Sequence, residues 1–64
     1  MVKINGEEKN VMGKTIGEYL TESGYDVKRV AVELNGDILP KAQYESTVLK
    51  GGDSVEIVSF VGGG

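Results

Sequence analysis

The sequence predicts a small α+β domain in which one main helix is packed across one face of a mixed sheet. The prediction rests on a hairpin signal near the N-terminus, a complete helix-start signal at Thr15 and the β-forming run "SVEIVSFV" near the C-terminus. A helix too short to stand alone in water needs a sheet to cover, and strands with one apolar face need such a cover.

Each element follows from its local pattern. Met1 to Asn5 alternates, with Val2 and Ile4 on one side and Lys3 on the other, and Asn5-Gly6 is a type I′ hairpin signal. A second strand is expected to return through Lys9 to Met12. In "KTIGEYLTESG", the Thr15 hydroxyl can accept from the Glu18 N–H while the Glu18 carboxylate reaches back. Ile16, Tyr19, Leu20 and Ser23 then share one face of a helix of about nine residues, which Gly24 ends in the left-handed conformation. "RVAVELNG" sets Val30, Val32 and Leu34 against Ala31 and Glu33 and stops at a second Asn-Gly pair. Ile38 and Leu39 form a short strand that Pro40 ends, and Lys41 to Ser46 reads as a turn of irregular helix with Tyr44 inward. Met12 and Tyr25 are expected to close the hairpin and the helix end. After Val48-Leu49 and the "KGGD" turn comes the final strand. This order is that of the β-grasp, the ubiquitin-like fold.

Composition narrows the function. A chain of 64 residues is one domain with a small core and no room for a buried catalytic cavity. It contains no cysteine and no histidine, so disulfides, thiolate chemistry and zinc sites of ordinary composition are not expected. The formal net charge is -3, and the lysines are spread along the chain, which argues against nucleic acid as a partner. The N-terminus shows no signal-peptide pattern and no apolar run is long enough to cross a bilayer, so a cytoplasmic protein without membrane attachment, monomeric when free, is expected.

Two motifs invite a functional reading and have plainer ones. "GKT" at Gly13 to Thr15 lies between a strand and a helix, as a phosphate-binding loop would. That motif requires a further glycine where this chain has Glu8, and a turn followed by a helix cap accounts for the residues. Glu33, Asp37 and Glu56 could be drawn as an acid/base or metal set. Glu33 and Glu56 fall on outward strand faces, where carboxylates are ordinarily solvated, and Asp37 belongs to the Asn35-Gly36 turn.

The distinctive feature is the end. Gly62, Gly63 and Gly64 follow the strongest strand with no polar spacer. The expected organisation is a domain over residues 1–61 and a flexible glycine tail over 62–64; a frayed, inert end is the ordinary alternative. Without Cβ atoms the tail can enter a narrow tunnel and present an unhindered carboxylate. Such a carboxylate is a poor electrophile until activated. Adenylation by a partner would make it a mixed anhydride, and sulfur displacing AMP would leave a thiocarboxylate.

These residues resemble the ThiS family, ubiquitin-like sulfur carriers of thiamin (thiazole) biosynthesis that end in Gly-Gly. The resemblance runs through the Asn5-Gly6 turn, "TIGEYL", "VAVELNGDILPKAQY" and "GGDSVEIVSFVGGG". It implies a carrier that acts as a cosubstrate and has no catalytic residue or bound cofactor of its own. A ThiF-type, E1-like adenylyltransferase using ATP and Mg would adenylate Gly64. A cysteine desulfurase or other persulfide donor would supply sulfur, and a ThiG-type thiazole synthase would consume the thiocarboxylate. Gly62 and Gly63 would form the slender arm.

Alternation puts Val58 and Phe60 opposite Val55 and Ile57, on the face the helix leaves open, where they are expected to dock partners. Core packing is the alternative for both should the register differ; Val61 either anchors the tail base or packs inside. The competing functions are the small subunit of molybdopterin synthase, a ubiquitin-like protein modifier, and a binding module with an inert tail.

Overall fold

The structure, a computed structural model, describes residues 1–60. Val2–Ile4 (β1) and Glu7–Lys9 (β2) pair antiparallel around Asn5 and Gly6, whose φ values of 50° and 85° are those of a type I′ turn. β2 stops at Lys9 instead of running to Met12. The chain turns away there because Gly13 N–H is drawn to the Leu49 carbonyl at 2.9 Å, which brings Thr15 to the start of the helix.

Helix α1 covers Ile16–Glu22 and carries the expected capping box: Glu18 N–H donates to Thr15 Oγ1 at 3.1 Å and Thr15 N–H to Glu18 Oε1 at 2.8 Å. Its free N–H groups also find tertiary acceptors, Ile16 donating to the Thr47 carbonyl at 2.9 Å and Gly17 to that of Tyr44 at 3.0 Å. Ile16, Tyr19 and Leu20 are buried, whereas Ser23 is the exposed C-cap, so the helix ends one residue before the last position of the expected stripe. Gly24 follows at φ 83°.

A single 3₁₀ turn, Val27–Arg29, leads into Val30–Leu34 (β3), and the Asn35-Gly36 turn connects it to Asp37–Leu39 (β4). After Pro40, a second 3₁₀ turn over Lys41–Gln43 carries Tyr44 inward to 2% exposure. The last strand, Ser54–Ser59 (β5), enters the middle of the sheet. The strand order is β2-β1-β5-β3-β4, with β5 parallel to β1 and antiparallel to β3. This mixed five-stranded sheet with one helix is the β-grasp architecture the sequence predicts.

The core lies between the sheet and α1. Val2, Ile4, Val30, Val32, Val55 and Ile57 point into it from the strands, and Tyr44 and Leu49 close its side. Tyr25 packs partly against this core, as expected, while Met12 is half exposed and rests near Gly51. The position of β5 matters most for function: the most central strand is also the one that leads to the C-terminus.

Candidate docking face at the root of the tail

β5 alternates as its sequence demands. Val55 and Ile57 are buried against the helix, and Glu56 and Val58 face the other way. Phe60 N–H donates to the Arg29 carbonyl at 2.7 Å, which extends the β3–β5 register one step beyond the Val30–Ser59 pair. Phe60 therefore sits on the outer face at the last described position of the chain. Val58 is 57% exposed and Phe60 56%, so neither packs in the core. Val61 and the tail residues Gly62, Gly63 and Gly64 lie outside the described residues, as does the boundary between domain and tail.

The pairing register sets Ala31, whose outward face the alternation of β3 predicts, against Val58, and adds Ile38, which sequence reasoning did not assign to this face. Ala31 stands directly opposite Val58, and Ile38 opposite Glu33 on β4. Ile38 is 78% exposed. The signal for it was available: a two-residue turn at Asn35-Gly36 fixes the β3–β4 register and so sends Ile38 to the face of Glu33. Ala31, Ile38, Val58 and Phe60 form an apolar area on a sheet face that the helix does not cover.

Charge surrounds it unevenly. Glu33 and Glu56 are directly opposite one another, and among the described residues neither has an ion-pair partner. At the Phe60 end the charge of Arg29 is paired with that of Asp26. Arg29 Nε lies 3.6 Å from Asp26, and Lys41 Nζ donates to the Lys28 carbonyl at 2.9 Å.

The phosphate-loop reading of "GKT" finds no geometry. Lys14 Nζ is 2.7 Å from Glu22 Oε1, a contact that holds the lysine pKa above its ordinary value, and Thr15 is occupied as the helix cap. Glu33 and Glu56 face solvent, and Asp37 opens β4. Among the described residues, no group of three or more His, Cys, Asp or Glu side chains is placed to hold a metal. No helix among them is long and apolar enough to cross a membrane.

The model of the ThiS family matches residues 2–64, nearly the entire chain. This chain belongs to the ThiS family. It is 41% identical over 64 residues to the sulfur carrier protein ThiS of Thermus thermophilus, and the match covers 100% of both chains. It is also 47% identical over 62 residues to a thiazole synthase of Paramagnetospirillum magneticum, covering 95% of this chain and only 19% of that one. Among solved structures it is similar to the crystal structure of ThiS from Geobacter metallireducens, with a TM-score of 0.80 and 33% identity over 98% of this chain and 97% of the other. In this ThiS-family chain the β-grasp leaves Ile38, Val58 and Phe60 exposed on the sheet face that the helix does not cover.

Proposed function

We propose that this protein is a sulfur carrier of thiamin biosynthesis whose Gly64 carboxylate is adenylated by an E1-like, ThiF-type enzyme and converted to a thiocarboxylate. One observation carries the reading: the ThiS family match extends across the chain into the glycine tail, and the central strand presents exposed Phe60 immediately before it. The chain is a cosubstrate in this scheme, and ATP and Mg are used by its partner.

The chemistry is a pair of acyl substitutions. A carboxylate oxygen of Gly64 attacks the α-phosphorus of ATP, pyrophosphate leaves, and an acyl adenylate results. A persulfide sulfur derived from a cysteine desulfurase, or from another donor, attacks the acyl carbon and expels AMP. Reductive cleavage of the resulting acyl disulfide by a thiol leaves the thiocarboxylate, whose sulfur is the nucleophile delivered to a ThiG-type thiazole synthase. Sulfur at the chain end suits a protein with no cysteine of its own, since no side chain competes for persulfide. Val58, Phe60 and Val61 would guide the tail by docking, and Gly62 and Gly63 would thread it.

The test is intact mass after incubation with adenylyltransferase, ATP, Mg, cysteine desulfurase and cysteine, using a chain lacking Gly64 as control. The expected result is the mass gain of one oxygen-for-sulfur exchange in the full chain alone. Absence of that gain with an adenylyltransferase that modifies the Thermus thermophilus carrier would overturn the reading.

A further inference from the structure

The two hairpin turns are near copies in sequence, "INGE" over residues 4–7 and "LNGD" over 34–37, and both are type I′ with the asparagine at φ 50° and 53°. Their asparagine side chains differ in what they hold. Asn5 Oδ1 accepts from Ile57 N–H at 2.7 Å and Asn5 Nδ2 donates to the Ile57 carbonyl at 3.3 Å, partly buried bonds in the middle of β5. Asn35 Oδ1 accepts from Ser54 N–H at 2.8 Å and Asn35 Nδ2 donates to Asp53 Oδ1 at 3.1 Å, and both of these bonds are exposed.

An asparagine before glycine carries a reaction of its own. Glycine has no Cβ to shield its nitrogen, so that nitrogen, on losing its proton, can bond to the asparagine Cγ. The Cγ–Nδ2 bond breaks, ammonia leaves with the proton, and a cyclic succinimide remains. Water opens the ring at either carbonyl, giving aspartate or isoaspartate, and no other reagent is needed. Ring closure brings the glycine nitrogen alongside Cβ, a conformation that the ψ of about 30° in a type I′ turn does not provide. The reaction therefore waits on local opening of the turn. Exposed hydrogen bonds give way to water at lower cost than partly buried ones. Asn35 is held at the first residue of β5 and the residue before it, beside the Gly51-Gly52 turn, whereas Asn5 is held by Ile57, a core residue.

We propose that Asn35 is a site of spontaneous deamidation in the folded protein and that its bonds to Ile57 spare Asn5. The inference is independent of the sulfur-carrier reading. Asp53 gives the product its consequence. A carboxylate at position 35 replaces the donor that Asp53 Oδ1 now accepts from and sets two like charges in contact. Asp53 Oδ2 accepts from Lys50 N–H at 2.9 Å, which anchors that carboxylate where it stands. Isoaspartate adds a further disturbance, since it lengthens the backbone inside the turn that sets Leu34 opposite Asp37. Both products loosen β4, an edge strand whose Leu39 packs against the core.

The experiment incubates the full-length protein at mildly alkaline pH, folded and in concentrated urea, and follows each asparagine by peptide mass mapping with chromatographic separation of isoaspartate. Asn10 is the slow reference, because the branched Cβ of Val11 shields the nitrogen that would attack. In urea, where only local sequence acts, Asn5 and Asn35 are expected to react at similar rates. In the folded protein Asn35 is expected to react about fivefold faster than Asn5, the ratio set by its weaker anchoring. Equal rates in the folded protein, a faster Asn5, or an Asn35 no faster than Asn10 would overturn the proposal. The product is tested separately. Asn35→Asp is expected to lower the thermal midpoint, and adding Asp53→Asn to restore it, because the new amide donates to position 35 while its oxygen still accepts from Lys50. A midpoint that Asn35→Asp leaves unchanged, or that Asp53→Asn does not restore, would overturn the role given to Asp53.

Discussion

Asn5 and Asn35 each do two things. Both take up positive φ, 50° and 53°, ahead of a glycine, as a type I′ turn requires. Their side chains then tie the hairpins to β5: Asn5 Oδ1 accepts from Ile57 N–H at 2.7 Å, and Asn35 Oδ1 from Ser54 N–H at 2.8 Å. Asn5→Gly keeps the turn and removes the bond, so it should lower stability by about 1–2 kcal/mol in urea denaturation. Gly17 offers the opposite case. It is buried in α1, and the nearest atoms a Cβ there would meet are the carboxyl end of exposed Glu45, which can swing away. Gly17→Ala should therefore stabilise the domain, by up to about 1 kcal/mol, through helix propensity; a loss of stability would show that Glu45 is held in place. These side-chain roles were only partly legible, since the spacing announces the turns but not which distant strand an asparagine will reach.

α1 and β5 each depend on partners remote in sequence. The helix has seven residues, below the length at which one is stable alone, and its first N–H groups are satisfied by carbonyls of Tyr44 and Thr47. Thr15→Ala removes the reciprocal cap and should cost about 1 kcal/mol, read from the shift in denaturation midpoint. β5 separates core packing from the proposed docking face by parity. Ile57 is 7% exposed on the helix side, so Ile57→Val should cost about 1 kcal/mol. Val58→Ala, one residue on and facing solvent, should change stability by less than about 0.5 kcal/mol. Its expected effect is instead a raised KM in adenylation. If Val58→Ala destabilised as much as Ile57→Val, the outer face would be structural.

The whole molecule has no cysteine and hence no disulfide, and among the described residues one small core, which Tyr44 closes from the side, holds it together. Burial raises the Tyr44 pKa above its ordinary value of 10.0, and a backbone hydrogen bond at Val32 opposes this more weakly. The folded state thus favours the neutral phenol more than the unfolded chain does. That contribution is complete below the ordinary tyrosine range and is lost as pH rises above it. Stability should therefore fall above about pH 10, and Tyr44→Phe should flatten the fall. An unchanged slope in Tyr44→Phe would assign the alkaline loss to other groups. The same small size favours the proposed use of a sheet face and a chain end: burial of a catalytic pocket would consume the core.

The sequence by itself determined the kinds and order of the elements, because turn, cap and alternation are local. Asn-Gly at two places, the Thr15–Glu18 box and the period-two pattern of β3 and β5 each act within a few residues. It also determined that Val58 and Phe60 lie opposite Val55 and Ile57. Only the tertiary structure decided that β5 is inserted between β1 and β3, that Ile38 and Ala31 join Val58, and that Glu33 meets Glu56. The reason is that pairing between distant strands depends on which neighbours complete the hydrogen-bond ladder and the core, and no window of sequence contains both partners.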